Sequence, residues 1–329
     1  MRIINVTFFG FLLAFAKAIP ATAQSELENL LTDLVVLSDR YVEPAAQASV
    51  TMASAGWYTT AQTKELFKVG LSIHANGLVF PNSKKTFTIT NDELRSLRIR
   101  GGAAVDIPTT LGGAQRTFFD FDFNGDTYEL QAFEGIDTGF LAYPYMQARV
   151  GLWQETELVL RYSPAIKIDK SSYAIYGVGL KHNLGQYLFK GKRPFDLSIL
   201  ASYSLFDLNL KYAAYELRSA DNPRPLAVLD GAIVDAHAMV YQLVWNKTHC
   251  NWAYTIGGTY NRSWIDYRLD GEDGFFLGVL NQVLTILSET QENYQLDLGV
   301  VRQFNHWDVH AQMSYGEFIN LNIGATYHL

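Results

Sequence analysis

Residues 293–329 read NYQLDLGVVRQFNHWDVHAQMSYGEFINLNIGATYHL, and the pattern in this stretch decides the fold class. Tyr294, Leu296, Leu298 and Val300 alternate with Gln295, Asp297 and Gly299. Trp307, Val309, Ala311, Met313 and Tyr315 then alternate with Asp308, His310, Gln312 and Ser314. Finally Ile319, Leu321, Ile323, Ala325, Tyr327 and Leu329 alternate with Asn320, Asn322, Gly324, Thr326 and His328. A period of two puts one set of side chains on each face of a pleated strand, so three strands are predicted, joined at Asn305-His306 and Gly316-Glu317. A last strand with no polar tail needs a partner, because an open edge leaves backbone groups unpaired. Pairing the last strand, Ile319 to Leu329, with the first closes a barrel and meets that need.

Composition agrees with a barrel. The chain is 48% hydrophobic and 14% aromatic, and only 18% of it is charged, below the roughly 25% of soluble domains. Its length would allow two domains, but an all-β barrel absorbs it as one. No repeat of about 20–50 residues suggests a solenoid or propeller. A net charge of −7 without a basic cluster argues against nucleic acid as a partner. The single cysteine, Cys250, cannot form an internal disulfide and reads as a small structural side chain.

The amino terminus carries a targeting pattern. Arg2 precedes an apolar core from Phe8 to Ala16, and Ala21-Thr22-Ala23 forms a cleavage site, so processing is expected after Ala23. This divides the chain into a signal peptide (1–23), a helix and connecting segment (24–64), and a barrel (65–329). No later stretch has the ~18–20 consecutive apolar residues of a membrane-crossing helix. An exported, strand-rich chain of this kind is either a secreted β-protein or an outer-membrane barrel.

Leu27, Leu30, Leu31, Leu34 and Val35 recur at helical spacing after Ser25, an N-cap with Glu28 as its capping-box partner. A helix from Ser25 to Tyr41 is predicted, ended by Pro44. It reads either as a plug of the barrel or as an amphipathic helix packed on its periplasmic side. The predicted strands are Phe67 to Phe80, Met146 to Leu152, Thr156 to Ile168, Tyr173 to Phe189, Phe195 to Tyr212, Asp235 to Trp245, Trp252 to Tyr267 and the closing three. Phe118 to Phe133 forms a further hairpin turning at Asn124-Gly125. Its Asp120, Asp122, Asn124 and Asp126 approach a calcium-loop spacing, but Gln131 stands where that loop needs Glu, so an acidic hairpin face is the preferred reading.

Connection lengths decide between the two options. The segments 81–144, 213–234 and 269–292 are long and fall on one side. The segments 153–155, 190–194, 246–251 and 305–306 are short and fall on the other. Short periplasmic turns, long outer loops and an even strand count are the outer-membrane rule. The expectation is a transmembrane, antiparallel up-and-down β-barrel of about ten to twelve strands, fourteen at most, with a short N-terminal helix. Trp153, Trp245, Trp252 and Trp307 all fall beside the short turns, as a membrane girdle does.

A family resemblance sits on spaced pieces: Tyr41-Val42-Glu43-Pro44, Gly56-Trp57-Tyr58, Lys85-Thr86-Phe87, Pro144 with Gln147, Thr156-Glu157-Leu158 leading to Arg161-Tyr162-Ser163-Pro164, and Gly177-Val178-Gly179-Leu180-Lys181-His182. With these the chain resembles an uncharacterised outer-membrane barrel family of the Bacteroidetes and, more distantly, the long-chain fatty-acid transporter barrels. The resemblance implies an outer-membrane location and passage of hydrophobic molecules. One departure is the final residue: such barrels usually end on an aromatic side chain, and this chain ends on Leu329.

Motifs for chemistry are missing. The seven histidines are scattered, and His306 and His310 fall on a turn and a strand, so they do not form a helical zinc pair. There is no Gly-x-Ser-x-Gly and no Cys–His signature, so no catalytic residues, metal or cofactor are expected and the protein does not read as an enzyme. Arg149, Glu157, Arg161, Lys181, Asp196, Asp297 and Asp308 are the candidate lumen charges; their mixed signs suggest paired charges filling a narrow interior. Arg302 falls on the apolar parity of its strand, close enough to a turn to snorkel. Phe275, Phe276, Leu280, Val283, Leu284 and Leu287 make a helical apolar stripe in an outer loop, readable as a lid that captures a greasy ligand or as a helix packed across the mouth. The leading functional expectation is a transporter or channel for small hydrophobic molecules. The alternative is a structural, adhesion or secretion-accessory barrel acting through its outer loops. Expected partners are outer-membrane lipid, the barrel-assembly machinery and a hydrophobic small molecule.

Overall fold

A computed structural model describes residues 21–329, apart from 124, 169–170, 220–221, 273–276, 279–280, 283–284 and 286–289. Its centre is a closed antiparallel barrel of ten strands. In chain order they are β1 (Val69–Val79), β7 (Phe140–Gly151), β8 (Thr156–Ile168), β9 (Ser171–Asn183), β10 (Asp196–Ser219), β11 (Asn222–His249), β12 (Trp252–Glu272), β13 (Thr290–Gln303), β14 (Trp307–Tyr315) and β15 (Ile319–His328). The ring closes as expected, β15 pairing with β1 from Gly70 opposite His328 to Val79 opposite Ile319, and β1 pairing on its other side with β7.

The barrel is inside-out relative to a soluble core. Outward positions on β1, β8, β10, β13 and β15 carry Ile73, Leu160, Ile199, Leu296 and Ile323, all exposed. Inward positions carry Ser72, His74, Asn76, Gln147, Ser202, Gln242, Thr259, Gln295, Gln312 and Asn322, all buried. Exposed apolar walls around a polar interior are stable only when lipid replaces water outside. The nine residues of β14, at ~3.3 Å each and tilted ~40°, give an apolar wall of roughly 23 Å, enough for a bilayer's hydrocarbon.

The two ends differ. At the short-turn end stand Trp153, Trp252 and Trp307, exposed, with Trp245 half-buried beside Phe195. Arg302 lies there over the rings of Trp252 and Phe304. Nearer the long-loop end, Tyr162, Tyr176, Tyr203, Tyr241, Tyr294 and Tyr315 point outward as a second aromatic belt. All of them but Tyr315, which precedes the Gly316-Glu317 turn, lie within strands rather than beside turns, so sequence position alone gives little signal for the belt.

Several expectations need correcting. The segment 213–234 is not a loop: residues 213–219 belong to β10 and 222–234 to β11, which pair along it with register shifts between Lys211 and Tyr215 and between Leu217 and Ser219. Pro223 and Pro225 lie at the far end of that hairpin, where missing ladder donors cost least. The strand predicted to reach Phe189 stops at Asn183, whose Oδ1 accepts the Gly185 N–H and starts the short helix Gly185–Leu188. The hairpin of Phe118 to Phe133 exists, but outside the barrel: β5 (Phe118–Phe123) and β6 (Asp126–Gln131) join β3 (Arg98–Ile99) in a small sheet. Ten strands, not twelve, therefore close the ring. The Arg100 guanidinium is clamped by Asp120 and Glu129, and Asp122 accepts from Thr127.

That sheet, with β2 (Thr86–Thr90) paired to β4 (Ala104–Pro108), forms a cap at the long-loop end. The N-terminal helix, α1 (Ala21–Ser54), belongs partly to this cap. It does not stop before Pro44 but contains it. The proline removes one N–H from the ladder, at a cost of about 3 kcal/mol, and burial on both sides of it holds the helix together. Leu34, Leu37 and Tyr41 pack against Ile107, Phe119, Leu130 and Phe133 of the cap. The Asp33 carboxylate accepts the N–H groups of Arg95, Ser96 and Leu97 at 2.7, 2.6 and 2.8 Å. A closed barrel of this kind should resist SDS until heated: on unboiled gels the protein should run faster than after boiling, and identical mobility in both conditions would contradict the closed ring.

Candidate functional site: the plugged lumen

Below Tyr41 the helix leaves the cap and enters the barrel. Ala45, Ala46, Ala48, Ser49, Val50, Ala53 and Ser54 are all buried, and the helix packs against β10, β11 and β12. Small side chains let a helix of roughly 10 Å diameter share the lumen with a wall of inward side chains. Residues 45–54 of the helix thus lie among the inward side chains of the barrel. After Ser54 the chain continues without regular structure to Lys64 at the short-turn end and turns back into β1. The N-terminal segment thus crosses the whole barrel, from cap to short turns.

A backbone with no regular structure has no internal partners, so its polar groups must be satisfied by something else. The barrel wall supplies them. The Arg161 guanidinium donates to the carbonyls of Ala53 and Ala55 at 3.3 and 2.8 Å. Tyr145 and Gln147 donate to Gly56 O at 3.1 and 3.0 Å. Thr255 donates to Thr59 O, and Asn183 and Ser198 donate to Ala61 O, while Asn246 accepts the Ala61 N–H. Lys181 donates to Thr60 O and Gln62 O, and Glu157 accepts the Lys64 N–H at 3.1 Å. These partners come from β7 through β12, so the segment is gripped from most of the ring.

Two side chains fix its depth. Trp57, 0% exposed, donates its indole N–H to Ala53 O and lies against β9, where a Cβ on Gly177 would come within 2.6 Å of the indole. Arg161 is sandwiched between the rings of Trp57 and Tyr145, at 4.1 and 4.3 Å from their centroids, an arrangement that holds a desolvated guanidinium well. Tyr58 donates to Asp297 at 2.9 Å, and its hydroxyl occupies the place of a side chain at Gly257. Gly56, with φ at +72°, makes the turn that separates helix from extended segment.

The candidate lumen charges separate into two groups. Arg149, Glu157, Arg161, Lys181 and Asp297 are buried and come together around the plug, with Lys181 and Glu157 paired at 2.8 Å. Asp196 and Asp308 sit half-exposed at the short-turn mouth instead, bound to Gln62 and His328. A polar cluster the sequence did not reveal stands at the β1–β15 seam. His74 stacks on Tyr145 and, with His310, contacts Asn322, and Gly324 leaves the space for the His310 ring. The proposed lid residues Phe275, Phe276, Leu280, Val283, Leu284 and Leu287 lie outside the described residues.

The chain belongs to DUF6588, a family of unknown function, whose model matches residues 1–329. No curated protein matches the sequence. Among solved structures, it is similar to the beta domain of the Bordetella autotransporter BrkA, at 9% identity over 79% of this chain and 99% of that one, with a TM-score of 0.34. It is also similar to the outer membrane protease OmpT of Escherichia coli, at 9% identity over 82% and 100% of the two chains, TM-score 0.32. A FadL homologue of Pseudomonas aeruginosa matches at 12% identity over 82% and 67%, TM-score 0.30. At these scores the likeness carries nothing about activity.

The Lys181–Glu157 pair gives a direct test of the lock in this DUF6588 barrel. Removing one partner strands a buried charge, so Lys181→Met or Glu157→Leu should each cost about 3–5 kcal/mol. The double variant should cost much less than the sum. Urea unfolding in detergent measures all three, and additive losses would mean the pair is not coupled.

Proposed function

We propose that this protein is an outer-membrane barrel sealed by its own N-terminal segment, which anchors the cap of residues 80–139 at the cell surface. The observation that supports this reading best is the lumen itself. Trp57 and Tyr58 are fully buried in it, and the irregular backbone around them is hydrogen-bonded to the wall from β7 to β12. In this reading the short turns face the periplasm and the cap and the start of α1 face outside. Outer-membrane lipid covers the apolar wall, and the barrel-assembly machinery inserts it after signal-peptide removal.

Transport of small hydrophobic molecules is the less favoured reading, because a filled, polar-lined lumen gives such a molecule no apolar path. It would require the whole Trp57–Arg161–Tyr58–Asp297 lock to open. The seal is tested in planar bilayers. Purified protein should give no conductance steps, whereas a variant lacking residues 25–60 should give stable ones; conductance by the intact protein at rest would sink the proposal. Orientation has its own check. An epitope placed between Gln24 and Ser25 should bind antibody on intact cells, and labelling only after permeabilisation would reverse the assignment.

A further inference from the structure

Where the plug leaves the barrel, a polar cavity of about 560 Å³ opens at the short-turn mouth, lined by segment 59–65, Lys68, Arg149, Glu157, the turn 303–308 and His328. Three side chains from separate elements form a chain along it. The Lys64 amine meets His328 Nδ1 at 2.6 Å, and His328 Nε2 meets an Asp308 carboxylate oxygen at 2.7 Å. The carboxylate only accepts, so Nε2 carries the proton and Nδ1 is left free to accept from Lys64. This is the order of a nucleophile, a base and a group that orients the base. The stem of Lys64 passes directly over Gly70, where any Cβ would collide with its Cε. The wall is thus shaped to let the amine reach His328.

The surroundings favour the neutral amine. Partial burial, with Arg149 the next-largest influence, brings the Lys64 amine down to about 8, with Lys181 acting in the same direction. Glu157 and Asp308 oppose the shift without cancelling it. At neutral to mildly alkaline pH a substantial fraction of Lys64 is therefore unprotonated, unlike an ordinary lysine.

We infer that Lys64 is a nucleophilic amine, and that the mouth cavity captures small carbonyl compounds there as imines, with His328 moving the protons and Asp308 holding its ring in place. The neutral Nζ forms a bond to the carbonyl carbon while the C=O pair moves to oxygen. One N–H proton then passes to that oxygen, giving a carbinolamine. His328 takes the second N–H proton and delivers it to the hydroxyl, which leaves as water as the C=N bond forms. In sum, amine plus carbonyl gives imine plus one water, with no change of oxidation state. Arg149 and Lys68, both on the cavity wall, suit a carbonyl compound that also carries a carboxylate.

The test is reductive trapping of the detergent-solubilised full-length protein with glyoxylate and cyanoborohydride, read by peptide mass spectrometry. Lys64 should be modified at least ten times faster than Lys68 or Lys190, with a rate that rises through an inflection near pH 8. His328→Gln should lower the Lys64 rate about tenfold while leaving Lys190 unchanged, and Lys64→Arg should remove the adduct peptide. Gly70→Ala should also suppress labelling by displacing the stem, and if that variant does not fold, the His328→Gln comparison decides. Labelling of Lys64 no faster than Lys190, or a rate that keeps rising beyond pH 10, would overturn the inference.

Discussion

The structure depends on one constraint: the irregular backbone of residues 55–61 is buried inside a barrel. Each peptide group from Ala55 to Ala61 needs a partner there, and a stray one costs free energy comparable to a lost hydrogen bond. The wall answers with Arg161, Gln147, Asn183, Ser198, Asn246 and Thr255, each aimed at the backbone of that segment. These six inward side chains are the hydrogen-bonding complement of the segment they surround.

This accounts for features that otherwise look unrelated. Glycines at 177 and 257 leave room for the rings of Trp57 and Tyr58. Arg161 and Lys181 carry charges that would be prohibitive in an empty apolar core, yet each is held by carbonyls of the plug in addition to aromatic rings or a carboxylate. The segment begins at the cap and ends at the opposite mouth, so the seam between β1 and β15 encloses it. Cap, plug and barrel are joined along its length, with Asp33 tying helix to cap and Lys64 tying plug exit to the last strand.

Much of this architecture was legible in the amino-acid order. Alternation places Leu296 outside and Asp297 inside whatever the partner strand, and the short turns beside Trp153, Trp252 and Trp307 set the two ends apart. The closing pair could be named because a terminal strand must find an edge. The helix boundary is not legible in the same way, because Pro44 is a strong local stop signal that is outweighed by burial only the lumen provides. The same limit hid the extension of β10 and β11 through 213–234, where two prolines and weak alternation look like a loop until two strands pair.

What the sequence by itself determined is the class of solvent on each side of the wall: a period of two with apolar and polar sets reversed in meaning, fixed by backbone pleat and therefore local. What only the tertiary structure decided is what the polar set faces. Gly56-Trp57-Tyr58 and Gly177-Val178-Gly179 lie about 120 residues apart, and nothing local says that one fills the space the other leaves. Nor does spacing reveal that Lys64, Asp308 and His328 meet, since their contact exists only once the last strand closes on the first around the segment between them.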